Sequence, residues 1–258
     1  LSDGGNGNNA TYSIETINLP FMFKFYGDEY SQITISTNGW IVFGDTDALS
    51  FRNYAIPGAG GPSPMVAAFW DDLTTDNSSQ VYKLVTHDYV IIQWQNMETY
   101  QYSDENTFQI ILYNPDFTGM VTPTGDNEIK IQYKEFNNTS NGDYSQYTPL
   151  HGCYSTIGIE NHFGNIGLQY TFNNVYNEAA MQLRDETALY ITTSNSVSMP
   201  GDVNQDDSLD VLDVVLSVNF ILGTVEPTIY EQITGDINSD GVINILDVVI
   251  LVNLILGS

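Results

Sequence analysis

The chain has 258 residues, room for one sizeable β domain and one small module, and carries a formal charge of −26 although only 15% of residues are charged, with 6 basic against 32 acidic. So few cations exclude a nucleic-acid role, since phosphate-binding proteins gain affinity by releasing counterions with their own Lys and Arg. A single cysteine, Cys153, excludes an intramolecular disulfide.

The chain opens at Leu1 with a loose Gly- and Asn-rich run from Ser2 to Asn9, read as a processed or trimmed terminus without a signal peptide. Residues 1–196 then read as all-β. Apolar and polar residues alternate in Phe21 to Tyr26, Gln32 to Ser36, Tyr89 to Trp94 and Phe108 to Tyr113. Glu128 to Tyr133, Ser155 to Glu160, Gly167 to Phe172 and Leu189 to Thr192 continue the pattern. Asn38-Gly39 marks a hairpin turn. With no long amphipathic helical stretch between these runs, the expectation is two antiparallel sheets face to face, an antiparallel β-sandwich.

Within this region Phe25-Tyr26-Gly27, Ser36 to Gly44, Ile56-Pro57, Met65 to Leu73 and Ile157 to Asn161 with Gly164 and Gly167 to Tyr170 resemble a nidogen-like extracellular module. The resemblance implies a β-sandwich that accompanies secreted bacterial proteases and surface proteins, and it implies no particular activity. Trp40, Phe69 and Trp70 are expected as core anchors. Asp71-Asp72 beside Asp45 and Asp47 are read as solvated loop carboxylates, with a third metal or carbohydrate site as the alternative. The 17 Tyr and 3 Trp suit a sandwich core and a sugar-binding surface equally well, and surface carbohydrate is carried as a further partner.

Catalytic signatures are thin. His151 and Cys153 are close in sequence and His162 follows, but nothing supplies an activating context for a thiol. There is no Gly-x-Ser-x-Gly elbow, no His-Glu-x-x-His pair and no Gly-rich phosphate loop, so no catalytic residue is assigned and a non-enzyme is expected. Sequons at Asn9, Asn77, Asn137 and Asn138 are compatible with surface glycosylation.

After a polar linker from Ser194 to Pro200, residues 197–258 form the second domain and contain one pattern written twice. Gly201 to Asp213 and Gly235 to Asp247 repeat at an offset of 34 residues, with oxygen-bearing side chains at loop positions one, three, five, nine and twelve. That spacing wraps backbone around a hard cation such as Ca²⁺. The expected ligands are Asp202, Asn204, Asp206, Asp210 and Asp213 in the first loop, and Asp236, Asn238, Asp240, Asn244 and Asp247 in the second. The carbonyls of Ser208 and Val242 complete the sets, for two ions in all. From Pro200 to Ser258 there are ten acids and no Lys, Arg or His, so two bound Ca²⁺ take the region from −10 to −6, and metal is expected to be coupled to folding.

Apolar helices are expected from Val214 to Leu222 and from Val248 to Leu256, each stopped by a glycine, Gly223 and Gly257. The duplicated loop-helix unit resembles a type I dockerin, the paired calcium-loop module by which secreted bacterial proteins plug into cohesin domains. Two departures from that pattern stand out. Position six of the first loop is Asp207 where Gly is usual. Positions ten and eleven, small or polar in dockerins and used there to select the cohesin, are Val211, Leu212, Ile245 and Leu246, which points away from a familiar cohesin. Both helices are apolar on nearly all sides, too much for a domain of this size to enclose. A face including Val211, Leu212, Val215, Ile245, Leu246 and Val249 is therefore expected to meet a protein partner, a cohesin-like domain or another copy of the chain. The apolar runs are too short for a membrane span.

These readings give a mainly β chain, an antiparallel β-sandwich followed by a small α-helical dockerin-like domain with two calcium loops. The expected role is non-catalytic, extracellular or cell-surface, calcium-dependent binding and assembly. A self-assembling subunit of a filament or surface array, and an accessory fragment of a secreted hydrolase, are the alternatives.

Overall fold

A computed structural model describes residues 14–75, 79–100, 104–118, 122, 124–139, 154–178, 180–193, 200–204, 206, 208–238 and 240–257. The chain divides into two compact units, residues 1–114 with 125–192, and residues 115–124 with 193–258.

The first unit is an antiparallel sandwich. Its strands are β1 (Ile14–Phe25), β2 (Asp28–Ser36), β3 (Trp40–Phe43), β4 (Met65–Trp70), β5 (Leu73–Thr74), β6 (Gln80–Val85) and β7 (Tyr89–Thr99). They continue with β8 (Glu105–Tyr113), β9 (Ile129–Glu135), β10 (Thr156–Glu160), β11 (Gly167–Phe172), β12 (Val175–Tyr176) and β13 (Thr187–Ile191). One sheet runs β1-β2-β3-β4-β10-β11-β12 and the other β13-β9-β8-β7-β5, with β6 also paired to β7. Each predicted alternating run falls on one of these strands.

Alternation decides what lies between the sheets. On β7, Val90, Ile92 and Trp94 are buried while Ile91, Gln93 and Gln95 are half-buried on the opposite face. The core joins them to Phe23, Ile33, Phe69, Phe108, Ile110 and Tyr133 from both sheets. Polar tips are satisfied across the gap, with Trp94 Nε1 donating to the Ser36 carbonyl at 2.8 Å and the Tyr133 hydroxyl to the Ala68 carbonyl at 2.7 Å. Such buried donors must find acceptors, and here they pin one sheet to the other.

Strand β4 is buried along its whole length, which explains its continuous apolar run. Its outer face meets a second apolar cluster of Trp40, Val42, Ile56, Met65, Ala67 and Trp70. Both Trp40 Nε1 and Trp70 Nε1 donate to the Ser50 carbonyl, at 2.9 and 3.1 Å. The three large aromatics expected as anchors are thus core residues. The β2–β3 turn requires glycine, because Gly39 has φ +78° and a Cβ there would lie 1.9 Å from the Phe69 carbonyl oxygen.

Some expectations change. Asp71 and Asp72 are buried rather than solvated. Asp71 Oδ1 accepts the Asp72 amide at 2.8 Å, its Oδ2 has no hydrogen-bond partner among the described residues, and burial pushes its pKa up to about 7. Asp45 and Asp47 are exposed, Asp45 accepting the Thr16 hydroxyl at 2.7 Å, so the four aspartates occupy different environments. Of the sequons, the Asn138 side chain is buried and its amide donates to Asn174 Oδ1, which removes it from the surface; Asn9 and Asn77 lie outside the described residues. His151 and Cys153 also lie outside them, and His162 Nδ1 pairs with Asp28 Oδ2 at 2.9 Å.

The second unit carries helices α1 (Pro115–Thr118), α2 (Val211–Ile221), α3 (Ile229–Gly235) and α4 (Ile245–Gly257). Helices α2 and α4 start three residues before the predicted Val214 and Val248, because the last turn of each loop is already helical. Helix α3 was not expected from the hydrophobic pattern. Its start is a capping box, with Thr228 Oγ1 accepting the Glu231 amide and Glu231 accepting the Thr228 amide. Among the described residues no helix is long and apolar enough to cross a membrane.

Candidate calcium loops and docking face

The two loops fold alike and share most of their hydrogen bonds. Asp206 N donates to Asp202 Oδ1 at 3.2 Å and to Asn204 Oδ1 at 3.1 Å; Asp240 N donates to Asp236 Oδ1 at 3.0 Å and to Asn238 Oδ1 at 2.9 Å. Ser208 N reaches Asp206 Oδ1 at 3.0 Å, and Val242 N reaches Asp240 Oδ1 at 3.1 Å. Asn204 Nδ2 and Asn238 Nδ2 donate to the Oδ2 atoms of Asp206 and Asp240. Short Asx turns of this kind draw successive side-chain oxygens toward the inside of the loop.

The position-twelve aspartate locks each loop to its helix. Asp213 Oδ1 accepts the amides of Val203 and Asn204 at 2.8 and 3.1 Å, and its Oδ2 accepts Asp210 N at 3.0 Å. Asp247 does the same for Asn238 N at 3.2 Å and Asn244 N at 2.8 Å. Position nine is the helix N-cap, Asp210 Oδ1 accepting Leu212 N and Asn244 Oδ1 accepting Leu246 N. One residue therefore serves as loop oxygen and cap at once, which is why the helices begin early. Gly241 supplies positive φ (+92°) at position six of the second loop, while Asp207, its counterpart, lies outside the described residues.

Electrostatics make the donor set fit a hard cation. Asp202, Asp213 and Asp247 are buried to 1% exposure or less, yet residues 200–258 contain no Lys, Arg or His to oppose their charge. Buried carboxylates need hydrogen bonds and an opposite charge, and only the first comes from this segment. The oxygens are all carboxylate, amide or carbonyl, the chemistry that hard divalent ions take. The Asn238 side-chain amide, the Val242 backbone amide and the Asn244 side chain hold the Asp240 carboxyl below the usual carboxylate range, keeping it ionised. Among the described residues no three His, Cys, Asp or Glu side chains gather closely enough to hold a metal by themselves.

Helices α2 and α4 pack against each other. Their buried side chains are Asp213, Ser217 and Phe220 on α2 and Asp247, Val248 and Leu251 on α4. Gly201, at φ +100°, lets the first loop close on Leu251, since a Cβ there would lie 2.7 Å from its Cδ1. The opposite sides are open. Val211, Leu212, Val215, Ile245, Leu246 and Val249 are all exposed, between 52% (Val215, Val249) and 64% (Val211).

A family model described as NIDO related matches residues 4–199, and the type I dockerin domain model matches residues 200–256. No curated protein and no solved structure matches the chain. Type I dockerin domains bind calcium, serve assembly through a protein partner that is typically a cohesin, and occur in extracellular or cell-surface proteins. Both matched domains are of non-catalytic module types. The chain belongs to the NIDO-related family and carries, over residues 200–256, a type I dockerin domain.

Proposed function

We propose that this chain is a non-catalytic, secreted binding and assembly protein whose sandwich, over residues 1–196, is attached to a partner by a calcium-ordered tail, residues 197–258. Each loop takes one ion. Asp202, Asn204, Asp206, Asp210, Asp213 and the Ser208 carbonyl serve the first, and Asp236, Asn238, Asp240, Asn244, Asp247 and the Val242 carbonyl the second. Bound calcium supplies the positive charge that quenches repulsion among these carboxylates. The chain's own side chains do the rest, Asp213 and Asp247 tying each loop to its helix and Asp210 and Asn244 capping α2 and α4.

The observation that carries this reading is the pairing of buried, cation-free carboxylates with six exposed apolar side chains at matching positions of two helices. An exposed apolar set of this kind marks a protein-binding surface, and the partner it fits is a cohesin-like domain with a complementary apolar surface. The test is binding of the full chain to a panel of cohesin domains in millimolar calcium and in chelator. Calcium-dependent binding that is lost in Leu212→Asp together with Leu246→Asp is expected. A calcium-loaded chain that stays monomeric and binds no member of the panel contradicts the proposal.

A further inference from the structure

The outer face of the second sheet carries an ordered row of side-chain amides. By strand register Tyr82 on β6 lies opposite Gln93 on β7, Gln93 opposite Gln109 on β8, Gln109 opposite Gln132 on β9, and Gln132 opposite Ala188 on β13. The glutamines are hydrogen-bonded head to tail. Gln132 Nε2 donates to Gln109 Oε1 at 2.6 Å, Gln109 Nε2 to Gln93 Oε1 at 2.5 Å, and Gln93 Nε2 to Gln95 Oε1 at 3.0 Å. The next row along the strands is Leu84, Ile91, Ile111, Lys130 and Tyr190. The amides floor a groove of about 590 Å³, whose walls include Asn96, Thr107, Lys130, Lys134 and Glu186.

Three physical features select an occupant. Gln93 and Gln109 each use one N–H and one lone pair in these bonds and keep another of each, while Gln132 uses one N–H, so the row presents both donors and acceptors. A pair of neighbouring sugar hydroxyls offers the same combination. Because the glutamines already restrain one another, a ligand meets side chains whose rotamer freedom is largely spent. Tyr82, 46% exposed, ends the row on β6, and Tyr190, 49% exposed, lies one row along on β13 beside the Tyr113 ring; the exposed Tyr82 ring can cover the apolar face of a pyranose. The row crosses four strand spacings, roughly 19 Å, long enough for several sugar units.

Charge narrows the class. Lys130 and Lys134 line the groove, but Glu186 lines it too and Lys134 pairs with Glu135 at 3.3 Å, in a chain of net charge −26. That balance offers a polyanion little. Peptide capture by strand addition needs a free strand edge, whereas the backbones of β7, β8 and β9 are paired on both sides. We propose that this face is a binding cleft for a neutral polysaccharide chain, with Gln93, Gln109 and Gln132 as hydrogen-bonding residues and Tyr82 as a stacking platform.

The test is calorimetry of the full chain in calcium with neutral glucan, xylan and mannan hexasaccharides, and a galacturonan hexasaccharide as the charged comparator. At least one neutral sugar should bind, and Gln109→Ala should weaken it about tenfold, the loss of about 1.4 kcal/mol. Tyr82→Ala, at an exposed edge where folding is not at stake, should weaken the same sugar with an unchanged thermal midpoint. Failure of every neutral hexasaccharide at millimolar concentration overturns the proposal. So does binding of galacturonan alone, or wild-type affinity in both folded variants.

Discussion

The two units of this chain hold themselves together by different physics. The sandwich buries three tryptophans and a continuous set of Phe, Ile and Val side chains between and outside its sheets. In the dockerin unit the buried apolar side chains are few, among them Val203, Phe220, Val248 and Leu251, while Asp202, Asp213 and Asp247 are as deeply buried as any. A core of the first kind needs nothing from solution. Carboxylates in the second are held by backbone amides within their segment, and under the proposed function an outside charge completes them, so that ordering of the tail follows ion concentration.

The largest effect should come from attacking the sandwich itself. Trp94→Ala removes a fully buried indole and its bond to Ser36, a loss of about 3–5 kcal/mol in denaturant unfolding, while calcium affinity stays unchanged. Next, Asp213→Ala strips three amides of their acceptor, about 3 kcal/mol by hydrogen bonding alone, and should abolish ordering of the first loop while sparing the sandwich. Amide exchange resolved by segment separates the two outcomes.

A pH series sharpens the contrast further. Asp71 has its folded pKa raised to about 7, so the native sandwich takes up a proton that the unfolded chain, with an ordinary aspartate near 3.9, does not. Stability from this group is present in acid and lost as pH rises through about 7. Asp71→Asn should flatten that fall, a gain on the order of 2 kcal/mol at pH 8 and little change at pH 4. Smallest of all, Leu212→Asp should alter folding stability by no more than about 0.5 kcal/mol, because the side chain is exposed, while removing partner binding.

How much of this was legible before the structure depended on the range of the signal. Strands such as Tyr89 to Trp94 showed through period-two alternation, and the calcium loops through a repeated spacing, both local properties. The capping duty of Asp210 and Asn244 does not show in the spacing, because the same side-chain oxygens suit a loop position and a helix N-cap alike. Helix α3 lacks a strong apolar period, yet the Thr228–Glu231 capping box was there to be read. Burial of Asp71 was invisible, because it depends on where β4 and its neighbours lie rather than on the residues beside it. The glutamine row is a product of register across β7, β8 and β9, residues far apart in the chain that no local pattern connects.

All three tryptophans, Trp40, Trp70 and Trp94, lie in the sandwich, whereas helices α2, α3 and α4 lie in the second unit. Chelation of the full chain, followed at once by tryptophan emission and by helical circular dichroism, therefore reads the two units separately. Loss of the helical signal with unchanged tryptophan emission, reversed by added calcium, is the result expected. A helical signal indifferent to chelation, or one that vanishes together with the tryptophan environment, would contradict a calcium-ordered tail on a self-sufficient sandwich.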